Sequence, residues 1–286
     1  MLNLLRDGWH ERLTEVVSSA TQELIIVSPF ITHDGADFVL TNLNPEFRTA
    51  GRLEIVTNLA TLNMVQGSTD PEAVLTFYQK HQLVTIYHLP RLHAKVYASD
   101  HGGAIVTSGN LTGGGLYQNL EYGVHIVDDD TVSQVRADIL EYAGLGAVVR
   151  ADQLASYCVA AGEAKAAFKE HQNSAAHDAK RRFSEALTAA NDELIRLRLG
   201  GESTHAIFAK TILYLLHKHG PLATSDLHVL VQQLHSDLCD DAVDRIIDGR
   251  HFGKRWKHTV RSAQQTLKQA GEIEITEDGF WRIRGD

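Results

Sequence analysis

His93 and Lys95 stand two residues apart in the run Leu92-His-Ala-Lys-Val-Tyr-Ala-Ser-Asp100. On an extended strand that spacing sends both side chains from one face of a sheet. A second polar cluster, Thr107-Ser-Gly-Asn-Leu-Thr112, follows, and after it comes Asn119-Leu-Glu121. A turn rich in Gly, Ser and Asn delivers Ser108 and Asn110 to the sheet's end, and Glu121 begins a further strand. One imidazole, one ammonium, one amide and one carboxylate at a single edge suit phosphoryl transfer. The imidazole attacks phosphorus, the ammonium and amide hold the developing charge, and the carboxylate orients the imidazole. In a chain with 16 histidines the His-x-Lys pair alone carries little information, so the combination carries the argument.

The elements that must position these residues read as an α/β fold over residues 1–150. Strands are expected at Glu23 to Phe30, Arg52 to Asn58, Leu83 to His88, His93 to Ala98, Gly103 to Thr107 and Leu120 to Val127. Helices are expected at Trp9 to Thr21, Pro71 to His81 and Thr131 to Tyr142, the second with Pro71 at a favoured first-turn position. The apolar run Leu24-Ile25-Ile26-Val27 ends in Ser28-Pro29, where proline stops ladder pairing and opens a loop. Residues 151–202 contain no proline, are rich in Ala, Glu, Lys and Arg, and predict a helical linker closed by Gly200-Gly201.

From Thr204 an apolar-periodic segment runs to His219 and stops at Gly220-Pro221; a second, Asp226 to Leu234, starts behind Thr224-Ser225. A third helix, about Lys254 to Ala270, ends at Gly271, and a hairpin with an Asp278-Gly279 turn follows. Helices followed by a two-stranded ribbon predict a winged helix-turn-helix domain over 203–286.

The chain has 286 residues and a net charge of −9, which taken as one sum opposes nucleic-acid binding. The charge is uneven: residues 1–150 carry 9 Lys/Arg against 17 Asp/Glu, whereas residues 203–286 carry 11 of each. Within the last part Arg250, Lys254, Arg255, Lys257, Arg261 and Lys268 fall in a stretch without an acid between Asp248 and Glu272. Arg250, Lys254, Arg255, Trp256, Lys257 and Arg261, at the start of the third helix, are therefore the expected DNA contacts, because a recognition helix presents its N-terminal residues to the groove. Trp256 taken alone also reads as a core residue, packed inward with Val260.

No apolar run approaches the ~20 residues of a bilayer span, and no secretory leader is evident, so a cytoplasmic protein without membrane attachment is expected. Cys158 and Cys239 are too few and too far apart for a disulfide framework. A metal site would draw on His81, His88, His93 or His101, whose spacing matches no zinc pattern, so no metal or other cofactor is expected.

His93-x-Lys95-x4-Asp100 with Ser108-Gly-Asn110 and Glu121 resembles the phospholipase D superfamily signature. The likeness covers roughly residues 20–130, and its nearest branch is the single-motif nucleases, including metal-independent restriction nucleases of the BfiI kind. It implies a phospholipase D-like mixed β-sheet flanked by helices, His93 as nucleophile, Lys95 and Asn110 as phosphate clamps, and Glu121 as the group that tunes His93. Ser108 and Asp100 are given supporting parts. The C-terminal pattern Trp256-Lys-His-Thr-Val-Arg261 through Leu267, Gly271 and Ile273 is similar to the winged-helix module of Mrr-type restriction enzymes.

Members with two copies of the motif build one site from two halves, whereas this chain has no second His-x-Lys; His217-Lys218-His219 has the wrong order. A two-fold homodimer with both His93 rings at one phosphate is the expectation, one imidazole attacking while its protonated mate serves the leaving oxygen. The resulting function is a metal-independent DNA endonuclease in restriction or phage defence, with DNA and defence-system proteins as partners. The sequence also admits a non-catalytic DNA-binding regulator built on a degenerate domain of the same type. Lipid headgroup hydrolysis is disfavoured by the lack of a membrane-binding stretch.

Overall fold

The run Leu24-Ile25-Ile26-Val27 is completely buried and forms the middle of the principal sheet. The structure is a computed structural model that describes residues 2–6, 8–173, 177–200, 202–247 and 250–285, with side chains described except over 172–180 and 247–250. The chain divides into two compact units, Met1–Gly200 and Gly201–Asp286.

The first unit follows the order β1 (Leu2–Leu5), α1 (Trp9–Ser19), β2 (Glu23–Val27), α2 (His33–Asn42), α3 (Pro45–Ala50), β3 (Arg52–Thr57), α4 (Thr61–Val65), α5 (Pro71–Lys80) and β4 (Val84–His88). It continues with β5 (Val96–Ser99), β6 (Ala104–Thr107), a π-turn over Gly114–Gln118, β7 (Gly123–Ile126), α6 (Asp129–Leu145), β8 (Ala147–Val149), α7 (Ala151–Asn173) and α8 (His177–Leu199). Among the described residues the sheet runs β1-β7-β6-β5-β2-β3-β4-β8. Its β2–β3 and β3–β4 pairs are parallel and the rest antiparallel, the mixed sheet flanked by helices that the sequence predicts.

Helix starts follow local chemistry. Asn44 Oδ1 accepts the Phe47 N–H at 2.8 Å ahead of Pro45, and Asp128 Oδ2 accepts the Thr131 N–H at 3.0 Å. Short elements absent from the sequence reading are β1, α2, α3, α4, β8 and the π-turn. The helices expected as a linker over 151–202 pack on the first unit: Leu154, Tyr157, Ala161, Leu194 and Leu197 join the core that holds β2 and β3.

The second unit contains α9 (Thr204–His219), α10 (Thr224–Leu234), the hairpin β9 (Asp244–Ile247) and β10 (Arg250–Lys254), α11 (Arg255–Ala270), and the ribbon β11 (Ile273–Ile275) and β12 (Trp281–Ile283). Leu222, between α9 and α10, bridges Trp281 of β12. Gly271 ends α11 at φ 78°, a left-handed C-terminal position that glycine adopts without strain. The β9–β10 hairpin is absent from the sequence reading, and Asp248 and Gly249 lie outside the described residues. Among the described residues no helix is long and apolar enough to cross a membrane.

Candidate active site

β2 and β5 pair antiparallel up to Val27↔Val96. Beyond that point Pro29 has no N–H to donate, so the ladder stops and the chain from His93 to Lys95 leads into β5 as a loop. The Thr107 N–H still reaches the Lys95 carbonyl at 3.1 Å, which ties this loop to β6. His93 is exposed at the end of the sheet, while Lys95 is only 8% exposed. The Lys95 ammonium donates to the His93 carbonyl at 3.0 Å and lies 3.4 Å from His93 Nε2 and 3.5 Å from Nδ1. Burial pulls the Lys95 pKa below the usual ammonium range, and the Glu121 carboxylate opposes that shift.

The turn after β6 is fastened from several sides. The fully buried Tyr97 donates its hydroxyl to the Gly109 carbonyl at 3.0 Å, and Ser28 Oγ accepts the Leu111 N–H at 2.9 Å. A Cβ on Gly109 would come within 2.6 Å of the Trp9 ring, so only glycine lets the turn lie this close to α1. Ser108 Oγ accepts the Tyr122 N–H at 3.0 Å and donates to Glu121, while Asn119 Nδ2 donates to the other Glu121 oxygen at 3.1 Å. Ser108 is thereby committed to its own turn and to Glu121. Glu121 lies in the loop before β7, not on a strand, and its hydrogen-bond donors are Ser108 and Asn119. Asn110 Oδ1 is buried and, among the described residues, has no hydrogen-bond partner.

His93, Lys95, Ser108, Asn110 and Glu121 therefore belong to one end of the sheet, on the loops flanking β5, β6 and β7. Asp100 does not. Seven residues of extended chain separate it from His93 by roughly 23 Å, and it sits at the opposite sheet end. There its carboxylate accepts the Thr21 and Gln22 N–H groups at 3.0 and 2.7 Å and the Thr21 hydroxyl at 2.8 Å. Burial pushes its pKa up, but those bonds outweigh it and hold the carboxyl below the ordinary range. Asp100 is thus a clasp between the end of β5 and the start of β2.

The arrangement sets an exposed imidazole beside a held cation, with an amide acceptor left open among the described residues. The four histidines of the metal reading are scattered. His81 bonds the Gly51 carbonyl, His88 accepts the Leu59 N–H, His101 lies beside Asp100, and only His93 is at the site. Among the described residues no three His, Cys, Asp or Glu side chains form a metal-ligand group.

Residues 13–142 match the family model described as cardiolipin synthase, PLD-like domain. Similar solved structures include Nuc from Salmonella typhimurium, a phospholipase D family member. It is 14% identical, with a TM-score of 0.44 over 52% of this chain and 98% of that one. NucT from Helicobacter pylori is 15% identical, with a TM-score of 0.40 over 50% of this chain and 94% of that one. TrmBL2, an archaeal chromatin protein whose structure shows a novel mode of DNA binding, is 14% identical, with a TM-score of 0.37 over 51% and 52%. No curated protein sequence matches the chain. The matched stretch ends within α6 and does not reach the helical pair α7–α8 or the second unit.

In the second unit the expected DNA contacts divide. Trp256 is 4% exposed, edge-on to His228, with its indole N–H donated to Asp241 at 2.9 Å. It is a core anchor and has no surface to offer a nucleic acid, which corrects the sequence expectation for that residue. Lys254 is held 2.8 Å from Asp244. Arg255 and Arg261 are exposed on α11, and the Lys257 ammonium lies over the Trp256 ring at 5.3 Å. The Arg250 side chain lies outside the described ones.

Sequence reasoning missed Asn119 and Tyr97. Asn119 stands in the quoted Asn-Leu-Glu run, and its two-residue distance from Glu121 was the available signal. Nothing in the sequence marks Tyr97 as the support of Gly109 except its place two residues after Lys95.

Proposed function

We propose that this protein is a metal-independent DNA endonuclease that works through a covalent phosphohistidine at a site shared by two copies of the chain. The observation that carries the reading is the Lys95 ammonium beside both His93 ring nitrogens, with the open Asn110 amide oxygen's side chain at the same sheet end. A buried cation next to a ring nucleophile stabilises negative charge on the phosphoryl oxygens without reorganisation.

In this reading His93 of one protomer attacks phosphorus, forming an N–P bond as the P–O bond to the leaving nucleoside oxygen breaks. The protonated His93 of the second protomer gives that oxygen its proton. Water then attacks the phosphohistidine, the second ring takes the water's proton, and the N–P bond opens to release a phosphomonoester. Lys95 and the Asn110 amide N–H hold the equatorial oxygens throughout. Glu121, bonded to Ser108 and Asn119, sets the charge balance at Lys95 and, through it, the orientation of His93.

A second copy is needed because one chain supplies one imidazole. Support for its docking comes from apolar side chains beside Glu121: Leu120 is 90% exposed, Tyr117 58% and Tyr122 52%. We assign residues 203–286 to a winged helix-turn-helix that holds DNA, supported by the order helix, bridge, helix, hairpin, helix and ribbon. A basic α11 start on a chain with an acidic first unit fits an enzyme whose substrate is brought by its second unit, in restriction or phage defence.

The test is plasmid cleavage in EDTA by wild type and by His93→Ala. Cleavage by the first and not the second supports the enzyme. Binding without cleavage by either overturns it in favour of a DNA-binding regulator.

A further inference from the structure

A cleft of about 510 Å³ opens beside Asn110, between the start of α2 and the π-turn Gly114–Gln118. It borders the reaction site. Asn110, at the same sheet end as His93 and Lys95, lines the cleft together with Phe30. π-Turns of this kind recur at functional sites. The walls are fixed by glycine: a Cβ on Gly113 would lie 2.2 Å from Asp34 Oδ2, and one on Gly115 2.3 Å from the Asn110 carbonyl oxygen.

The lining decides what fits. Asp34 and Asp70 contribute carboxylates, Asp70 bonded to the Lys165 ammonium at 3.3 Å, and among the described residues no Lys or Arg side chain lines the cleft itself. The Asp34 carboxylate disfavours a phosphate there, and both carboxylates accept hydrogen bonds. Thr32 Oγ1 and Asn110 Oδ1, both on the lining, are buried and, among the described residues, have no hydrogen-bond partner. A buried acceptor without a partner asks for one from a ligand. Phe30 adds a half-buried aromatic wall, and Gln118 an amide. Acceptors around a space of this size beside an aromatic ring suit a flat heterocycle that carries amino and ring N–H donors. Carboxylates accept from exocyclic base amino groups, and aromatic rings stack bases.

We propose that this cleft is a nucleobase subsite, which receives one amino-bearing base turned out of its stack beside the scissile phosphate; it rests on the phosphodiesterase reading above. A base inside a duplex cannot enter it, so the substrate class is single-stranded or locally melted DNA, and the cut is biased by the base at one flanking position.

The experiment is fluorescence anisotropy on full-length His93→Ala protein with single-stranded oligonucleotides in which one abasic residue is walked along the strand. At one position the abasic residue weakens binding about tenfold, the range of a single stacked and hydrogen-bonded base. Adding Asp34→Asn, or separately Gln118→Ala, shrinks that ratio to below about threefold. A penalty equal at every position, or a loss of affinity equal for intact and abasic strands in both variants, overturns the subsite. If binding is position-independent while wild type still cuts, only the subsite falls. If no oligonucleotide binds, the subsite and the nuclease reading fall together.

Discussion

Lys95 Nζ lies 3.4 Å from His93 Nε2 and donates to the His93 backbone carbonyl, so the cation is fastened to the residue it serves. Both partners sit on a loop whose geometry is set by Pro29 opposite and by the Thr107 N–H on the Lys95 carbonyl. Replacing Lys95 by Ala is expected to reduce turnover about 10²- to 10³-fold, the size seen when one charge-stabilising donor is removed. Circular dichroism should stay unchanged. Arginine should not restore activity, because its planar fork does not fit where a compact ammonium is held. Full activity in Lys95→Ala would remove the charge-stabilising role.

The pH profile has a signed expectation. Burial depresses the Lys95 pKa and Glu121 raises it. The active form needs the charged ammonium, so the alkaline fall in rate should come at lower pH than for an exposed lysine. Glu121→Gln removes the raising influence, and the alkaline limb should then move to still lower pH. A limb that stays in place in this variant would detach Glu121 from Lys95.

Asp100 is predicted to govern stability, not chemistry. Asp100→Ala should lower unfolding free energy by about 1–3 kcal/mol, as three hydrogen bonds to a part-buried carboxylate are lost. Its folded pKa is depressed, so the contribution is present above the ordinary carboxyl value of 3.8 and disappears as pH falls through the lower folded value. Thermal melts at neutral pH should separate mutant from wild type, and melts in acid should bring them together. A gap that widens in acid would reverse the argument.

Leu120 is 90% exposed between Asn119 and Glu121. Leu120→Arg should shift sedimentation from dimer toward monomer and reduce cleavage in proportion, with no change in the thermal midpoint beyond a degree or two. A dimer that persists with unchanged activity would place the two-fold contact elsewhere.

Arg255, Lys257 and Arg261 to Ala should each flatten the salt dependence of DNA affinity by about 0.9 in log–log slope if each meets one phosphate. Lys254→Ala should change it less, because its ammonium is already paired with Asp244. Trp256→Ala should act through folding, destabilising the second unit by roughly 3–5 kcal/mol.

Much of the sheet was legible because its strands obey local rules. Leu24 to Val27 is an unbroken apolar run, and Arg52 to Thr57 and Val84 to His88 alternate toward the same core. The short helices α2 and α4 were not legible: they follow tertiary bonds such as Asp70 N–H to the Ile31 carbonyl, which no periodicity encodes. At the site, residue types singled out His93, Lys95, Asn110 and Glu121 as candidates, but not who holds whom. Glu121 was expected on a strand facing His93. It lies in a loop bonded to Ser108 and Asn119, because β7 begins only at Gly123, where a Cβ would press within 2.6 Å of the Val106 carbonyl. Asp100 shares a run with His93, yet strand length carries it to the far end. Trp256 looked like part of a basic patch because sequence proximity to Arg255 and Lys257 says nothing of which way a helix turns.

The helical pair α7–α8 sets where this protein can be cut and recombined. Tyr157 donates its hydroxyl to the Leu59 carbonyl at 2.7 Å, and the fully buried Arg198 reaches the His88 carbonyl. A truncation at residue 150 strips these plugs from the core and leaves its apolar side open to solvent, a recipe for aggregation. An excised first unit, alone or grafted to another domain, should therefore carry the chain through Gly200.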